Sequence, residues 1–356
     1  MRIIVDVMGG DNAPLETVKG VCMAAQEFNA NYILVGNRPE IEQVAIENDL
    51  DLRRFDIVHT ETVVTMEDDP LSVVRAKSDS SMAMALRLLA EGKGDAMVST
   101  GNTGALFTGA TLIVRKIKGI QRPALAMIIP VTPPVLLLDC GANVVVTEEY
   151  LEQFAVMGSA YMQRMYGIES PRVGLLNNGT EDCKGTPLQV EAHKRLAACE
   201  KINFVGNVEG NGLVADVCDV LVTDGFTGNV LLKTIEGMGK FVMSAMKNIF
   251  YANGLTKVSA LMVKKQLGDF KHSLDATEHG GAPLLGISKP VIKAHGSSNA
   301  KAFKNAIRQA IAYCNSDITY DIAKAAEEFA AAKKLAKEAA RAAEAANEEK
   351  KEGDAT

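Results

Sequence analysis

Apolar runs that stop in glycines and small polar residues recur along this chain, and that alternation dictates its architecture. RIIVDV runs into MGGDNAP (Met8–Pro14), DAMVS into TGNTGA (Thr100–Ala105), and VLLLD into CGAN (Cys140–Asn143). VGLL runs into NNGTEDCKG (Asn177–Gly185), FV into GNVEGNG (Gly206–Gly212), and VLVTD into GFTGN (Gly225–Asn229). A seventh cluster, HGGAPLLG (His279–Gly286), follows a polar stretch instead of a strand-like run. Buried strands that end in flexible, donor-rich turns line a crevice with backbone N–H groups, and such a crevice suits an anion. The expectation is a small-molecule enzyme with one pocket at the rim of a sheet.

Helical patterns separate the runs. The sequence predicts strands at Ile3–Val7, Tyr32–Val35, Phe55–His59, Ala96–Ser99, Arg172–Leu176 and Asn203–Val205. Between them it predicts helices at Pro14–Phe28, Arg38–Asn48, Ser80–Glu91, Ala105–Lys116, Pro187–Ala198 and Gly212–Ala215. Strands alternating with helices imply an α/β fold whose mostly parallel sheet is covered on both faces. The segment AMIIPVTPPVLLLD reads as two short strands joined by a proline-rich turn, which makes the sheet mixed. With 356 residues, 47% of them hydrophobic, the chain can bury one large core, placed here in a single domain over 1–320.

Two segments break the pattern. Val230–Leu267 carries Leu231, Ile235, Met238, Val242, Met246 and Ile249 at helical spacing, with Asn253–Gly254 as a break before Val258, Leu261 and Met262. This is a helical hairpin with many apolar side chains, suited to core or dimer packing or to contact with an acyl chain or bilayer. After about Asp321 the composition turns to Ala, Glu, Lys and Arg with little to bury, so 321–356 is expected to be a solvated helix fraying into disorder.

A net charge of -6, 5% aromatic residues and no Trp argue against nucleic acid as a partner. The six cysteines show no C-x-x-C spacing and the five histidines no metal-ligand spacing, so reduced thiols and no metal are expected. The chain opens directly on a strand-like run and holds no uninterrupted span of membrane length, which points to the cytoplasm. MGGD is not a dinucleotide fingerprint, and no P-loop, H-E-x-x-H or G-x-S-x-G is present. No cofactor is expected.

The remaining clusters are able to hold phosphate. Ser99–Gly104 and Asp224–Asn229 each end a strand and open a helix, where unpaired N–H groups and the helix dipole favour an anion. Taken singly each is also an ordinary turn. Lys184 precedes a helix start at Thr186–Pro187; a loop lysine is ordinarily solvated, but beside an anion crevice it can neutralise phosphate. Arg75 and Lys77 form a second basic set, equally readable as a solvated helix face.

D-x-M-G-G-D-x-A-P (Asp6–Pro14), R-x-K-x-x-S-S-M (Arg75–Met82) and S-x-G-N-T-G-A (Ser99–Ala105) resemble the PlsX-type phosphate acyltransferases. L-D-x-G-A-N (Leu138–Asn143), G-L-L-N (Gly174–Asn177), D-G-F-T-G-N (Asp224–Asn229), G-G-A-P-L-L-G (Gly280–Gly286) and H-G-S-S (His295–Ser298) continue the resemblance, which spans Met1 to Tyr313. The sequence departs from the family pattern at Asn211–Gly212, at His279 and over Ile287–Pro290. The resemblance implies a three-layer α/β/α sandwich related to phosphate acetyltransferase and isocitrate dehydrogenase-like enzymes, acting as a homodimer with peripheral membrane contact. It implies transfer of a long acyl group from acyl carrier protein to inorganic phosphate. The acyl-phosphate would feed a membrane-bound glycerol-3-phosphate acyltransferase.

For that chemistry the candidate residues are Lys184, Asn102 and His295 as catalytic groups. Substrate would be held by Gly9, Gly10 and Asp11, by Arg75 and Lys77, by Gly101, Thr103 and Gly104, and by Asn143 and Asn177. Gly225, Thr227 and Asn229, with Ser297 and Ser298, complete the wall. Phosphate is itself a nucleophile, so the missing protein nucleophile fits. A dehydrogenase of the related class would need a cofactor site, and a non-catalytic scaffold would bind acyl carrier protein without releasing thiol.

Overall fold

The computed structural model describes residues 1–273 and 280–331; the predicted place of His279 and the tail beyond residue 331 lie outside them. Among the described residues the strands are β1 (Arg2–Asp6), β2 (Asn31–Gly36), β3 (Phe55–His59), β4 (Ala96–Ser99), β5 (Ala124–Ile129) and β6 (Val135–Leu138). They continue with β7 (Arg172–Leu176), β8 (Asn203–Val208), β9 (Val220–Val222), β10 (Ala282–Leu285) and β11 (Val291–Lys293). All lie in one sheet of order β3-β2-β1-β4-β11-β10-β5-β6-β9-β7-β8.

The strand directions correct the picture of a single rim. The block β3-β2-β1-β4-β11 is parallel throughout, and so is β6-β9-β7-β8. Between the blocks stand three antiparallel pairings, β11 with β10, β10 with β5, and β5 with β6. An odd number of reversals makes the two blocks run oppositely, so their carboxyl-terminal turns leave opposite edges of the sheet. A cumulative twist of roughly 20–25° per strand is what can turn two such edges toward each other. The inversion is invisible to pattern reading because β10 (APLL) lies inside the glycine cluster HGGAPLLG, which reads as a turn.

Alternation along the strands divides the core. Ile3, Val5, Val98, Leu136 and Leu138 face one side, Ile4, Met97 and Leu137 the other. On the first face pack α1 (Leu15–Glu27), α2 (Arg38–Glu47), α5 (Glu148–Tyr166), α6 (Pro187–Ala197) and α10 (Ala300–Cys314). On the second lie α3 (Ser81–Ala90), α4 (Thr103–Gly109) and the first turns of α7 (Gly225–Phe250). This is the expected three-layer α/β/α arrangement. Helix starts follow the caps in the sequence: Ser80, Asn102, Asp224 and Asn299 each accept the N–H three residues on.

Three predicted elements change. The helix read as Ala105–Lys116 is α4 followed by a π-helical turn over Ala110–Val114. In place of the helix read at Gly212–Ala215 there is a single 3-10 turn, Gly210–Val214, capped by Ala215. The predicted hairpin is an arm that starts at Gly225 itself and runs through α7, α8 (Gly254–Met262) and α9 (Lys264–Ser273), with the break at Asn253 as expected. Beyond Ile235 the arm leaves the core, and Met238, Phe241, Ile249, Leu261 and Met262 are exposed. No helix among the described residues is long and apolar enough to cross a membrane.

The start of the tail is not solvated. Helical turns over 318–331 bury Ile322 and Ala326 in the main core, with the Ala326 carbonyl set close against Gly119. An alanine-rich helix needs only a narrow stripe to dock, which composition conceals.

Candidate active site

The first bank of the site is built from the turns after β1, β4 and β11. Asp6, 1% exposed, ends β1 and accepts the Ser99 hydroxyl at 2.7 Å and the Met8 N–H at 3.3 Å. Gly9 sits so close to the next turn that a Cβ there would stand 2.6 Å from the Gly101 nitrogen. Thr100 donates to the Gly9 carbonyl, and Asp11 donates its N–H to Gly296 at 2.9 Å. These contacts weld the Gly9–Asp11, Ser99–Gly104 and His295–Ser298 turns into one wall.

Lys293 ends β11 beneath that wall. It is 8% exposed, and its ammonium donates to the carbonyls of Ala294 (2.5 Å) and Thr100 (3.3 Å). Burial pushes it down to about 8, against the pull of the Asp11 carboxylate. His295 follows. Its Nδ1 lies 3.2 Å from the Ser297 N–H and 2.9 Å from the Ser297 hydroxyl. The amide must donate, so Nδ1 accepts and the neutral ring carries its proton on Nε2. Burial first, and then the charge of Lys233, hold His295 below the ordinary histidine range. A neutral imidazole that offers Nε2–H is a suitable donor to a developing oxyanion.

The second bank comes from the turns after β6, β9 and β7. Asp139 ends β6, fully buried, and accepts from the N–H groups of Leu125, Gly141, Ala142 and Asn143 and from the Asn143 amide, at 2.7–3.2 Å. The Asp139 carbonyl lies so near Gly228 that a Cβ there would stand 1.9 Å away, so α7 is seated directly on this turn. Cys140 is buried, and burial together with the Asp139 charge pushes its thiol well up. It stays protonated and is no nucleophile.

Helix α7 joins the banks. It leaves β9 in the second bank, yet the charges of Lys233 and Glu236 act both on Cys140 there and on His295 in the first bank. The charges on the first turns of α7 are thus felt by groups of both banks.

The predicted residues fall into three groups. Gly9, Gly10, Asp11, Gly101, His295, Ser297 and Ser298 come together in the first bank. Asn102 and Thr103 lie there too, but Asn102 is committed: its amide donates to the carbonyls of Thr65, Met66 and Asp68, and its oxygen caps α4 at Ala105. Gly104 packs on Pro70. Asn143, Gly225, Thr227 and Asn229 assemble in the second bank, where the Thr227 hydroxyl donates to Asp224 at 2.7 Å. Lys184 and Asn177 share the β7 turn, next to β9 in the sheet; Asn177 donates to the Lys184 carbonyl at 3.1 Å, and the exposed Lys184 ammonium lies 3.8 Å from Glu181. Lys77 bonds Asp68 and the Val63 carbonyl, bracing the loop that Asn102 holds, while Arg75 is exposed beside it. Pattern reading missed Lys293, Lys233, Glu236, Asp6 and Asp139. The available signal was a lysine inside the apolar run VIKA and an aspartate closing each of the runs RIIVD and VLLLD.

Among the described residues no group of three or more His, Cys, Asp or Glu side chains is placed to hold a metal ion. The model of the family described as "Fatty acid synthesis protein" matches residues 1–320. The chain belongs to the fatty acid synthesis protein family. Among its relatives, the phosphate acyltransferase of Clostridioides difficile (strain 630) is 42% identical over 324 residues, 90% of this chain and 95% of that one. The phosphate acyltransferase of Bacillus subtilis (strain 168) is 45% identical over 314 residues, 87% of this chain and 93% of that one. A solved phosphotransacetylase from Streptococcus pyogenes shares the fold of this family member with a TM-score of 0.60 at 18% identity, covering 88% of this chain and 94% of that one. A branched-chain phosphotransacylase from Enterococcus faecalis V583 gives 0.51 at 16% identity, covering 88% and 99%.

Proposed function

We propose that this protein transfers a long-chain acyl group from the thioester of acyl carrier protein to inorganic phosphate. A phosphate oxygen attacks the thioester carbonyl, the C–S bond breaks, and acyl-phosphate leaves with a free thiol that takes up the proton. The observation that carries this reading is the single wall built by the Gly9–Asp11, Ser99–Gly104 and His295–Ser298 turns, with the buried Lys293 beneath it and a His295 ring whose Nδ1 accepts from Ser297. The kinship with phosphate acyltransferases supports it.

The protein's task is then placement and charge. Holding phosphate beside the thioester can supply about 7–11 kcal/mol of the barrier, and one oxyanion donor such as His295 Nε2–H roughly 3–4 kcal/mol. The thiol leaving group, with a pKa of about 8.5 if it resembles cysteine, needs little acid assistance. Lys184, one strand from the Asp224 turn, meets the developing negative charge, with Asn177 fixing its loop. The exposed apolar arm meets the acyl chain or a bilayer, with the protein a cytoplasmic homodimer peripheral to the membrane. A membrane glycerol-3-phosphate acyltransferase would use the product.

The test mixes the protein with acyl-acyl carrier protein, with and without phosphate. Thiol release that requires phosphate, together with an acyl group trapped by hydroxylamine, is the expected result. Binding of the carrier without phosphate-dependent thiol release would make the protein a scaffold instead.

A further inference from the structure

The loop that carries Lys184 is held from outside by a buried histidine on α6. Lys184 donates its N–H to the Glu181 carbonyl at 3.0 Å, and the amide of Asn207 on β8 donates to that same carbonyl at 2.8 Å. Asn207 is buried, and its side-chain oxygen lies 3.0 Å from Nδ1 of His193, itself 9% exposed. The opposite ring nitrogen, Nε2, lies 3.3 Å from the Asp182 carboxylate of the same loop. A Cβ at Gly179 would stand 2.7 Å from Lys184 Cγ, so the lysine stem is folded close over the loop.

A bulge in β8 makes this arrangement possible. Val173 pairs with Phe204 and Gly174 with Gly206, which leaves Val205 without a partner. Side chains alternate along a regular strand, so Phe204 and Asn207, three apart, would point to opposite faces. With one residue bulged out both meet His193, Phe204 edge-on with ring centroids 5.1 Å apart and Asn207 through its oxygen.

The bonds also fix the protons. The Glu181 carbonyl can only accept, so the Asn207 NH2 faces it and the Asn207 oxygen faces the ring. Nδ1 therefore donates. A neutral ring then turns the Nε2 lone pair toward the Asp182 carboxylate, and only a ring protonated on both nitrogens satisfies both partners. The remaining charges around it are engaged elsewhere. Glu181 lies 3.8 Å from Lys184; on α6, Glu191 pairs with Lys194 at 3.2 Å and Arg195 with Glu152 of α5 at 2.7 Å.

We propose that His193 is a positioning residue for Lys184, bracing its loop through Asn207 and the Glu181 carbonyl on one side and through Asp182 on the other, with the doubly protonated ring as the complete brace. The inference rests on the reading that Lys184 meets the developing charge. A loosened loop misplaces the ammonium at the moment of reaction, so the brace acts on turnover and leaves phosphate binding alone.

The experiment combines amide hydrogen exchange over 177–186 with steady-state kinetics in the full chain, the His193 ring being followed by NMR. In the wild type, protection corrected for the intrinsic pH effect should fall by up to about fivefold as the ring gives up its second proton. His193→Phe keeps a ring beside Phe204 and deletes both bonds. Exchange should then rise at least about fivefold and kcat fall about tenfold, with the KM for phosphate unchanged. His193→Asn restores a donor toward Asn207 and should recover most of the lost kcat. Protection that ignores the His193 titration, or a folded His193→Phe protein with the wild-type kcat, overturns the inference. Lys184→Ala separates the two failures. Slow turnover there beside a wild-type kcat in His193→Phe removes the positioning role alone; near-normal turnover in Lys184→Ala removes the Lys184 reading, and the positioning role with it. If both stand, adding His193→Phe to Lys184→Ala should slow turnover no further.

Discussion

The two banks close their strands in the same way and use the result differently. Each central strand ends in a buried aspartate, Asp6 or Asp139, around which a glycine turn folds. Burial lifts both carboxyls above the usual range, and the bonds they accept oppose that lift. Asp139 is saturated by five N–H donors from its own surroundings, and Thr227 and Asn143 beside it are likewise engaged. The first bank ends in groups with capacity to spare: a lysine on two carbonyls and a neutral histidine with one free ring proton. The lesson is that a polar cluster whose bonds close on themselves is scaffold. Chemistry is placed where bonding capacity points into the crevice.

The strongest way to break that comparison is Asp139→Ala. It strands several buried N–H groups, each worth about 1–3 kcal/mol when unsatisfied, so urea unfolding should show a loss of 3 kcal/mol or more. Asp6→Ala strands fewer donors and should lose less, about 1–3 kcal/mol. Equal losses would mean that the banks are equally self-supporting. Next in size is Lys184→Ala. Its pair with Glu181 is exposed, so stability should change by less than about 1 kcal/mol. Turnover should fall roughly a hundredfold if Lys184 meets developing charge. Near-normal turnover would confine the chemistry to the first bank and α7.

How much of this was legible in the sequence depends on the range of the interactions involved. Glycine clusters, caps and helix periods are local, and Ser80, Asn102, Asp224 and Asn299 mark helix starts where the structure has them. The inversion of the sheet depends on how many antiparallel pairings intervene between distant strands, which no local window records. Lys293 and Lys233 lie in none of the glycine clusters, so a reading built on those clusters does not reach them. Asn102 drew attention because asparagine at a helix start suits an anion. Its three carbonyl partners come from residues 34–37 positions earlier, too far for spacing to reveal.

A pH series sharpens the contrast from the first bank's side. The folded-state value of Lys293, about 8, lies below that of a lysine in an unfolded chain, roughly 10.4. Between those values the unfolded chain binds more protons, so this group makes the fold more stable as pH rises. The site meanwhile loses its fixed charge. Above pH 8 the KM for phosphate should therefore climb by up to about tenfold per pH unit while this residue's contribution to the melting temperature increases. Lys293→Arg keeps its charge and should flatten the KM rise. A KM insensitive to pH in the wild type would show that Lys293 does not face the anion.

The smallest expected effect decides whether the second bank is scaffold alone. Thr227 begins α7 with both its N–H and its hydroxyl on Asp224, at 2.8 and 2.7 Å. Thr227→Val keeps the shape and the N–H cap and deletes only the hydroxyl's bond. At this exposed helix start, the loss should stay within about 0.5–1.5 kcal/mol, with the KM for phosphate unchanged. If KM rises while the melting temperature holds, the hydroxyl must leave Asp224 for the ligand when the site fills. The second bank would then hold phosphate with α7's own first turn, and the closed bonding seen around Asp224 would be a resting arrangement that opens on binding.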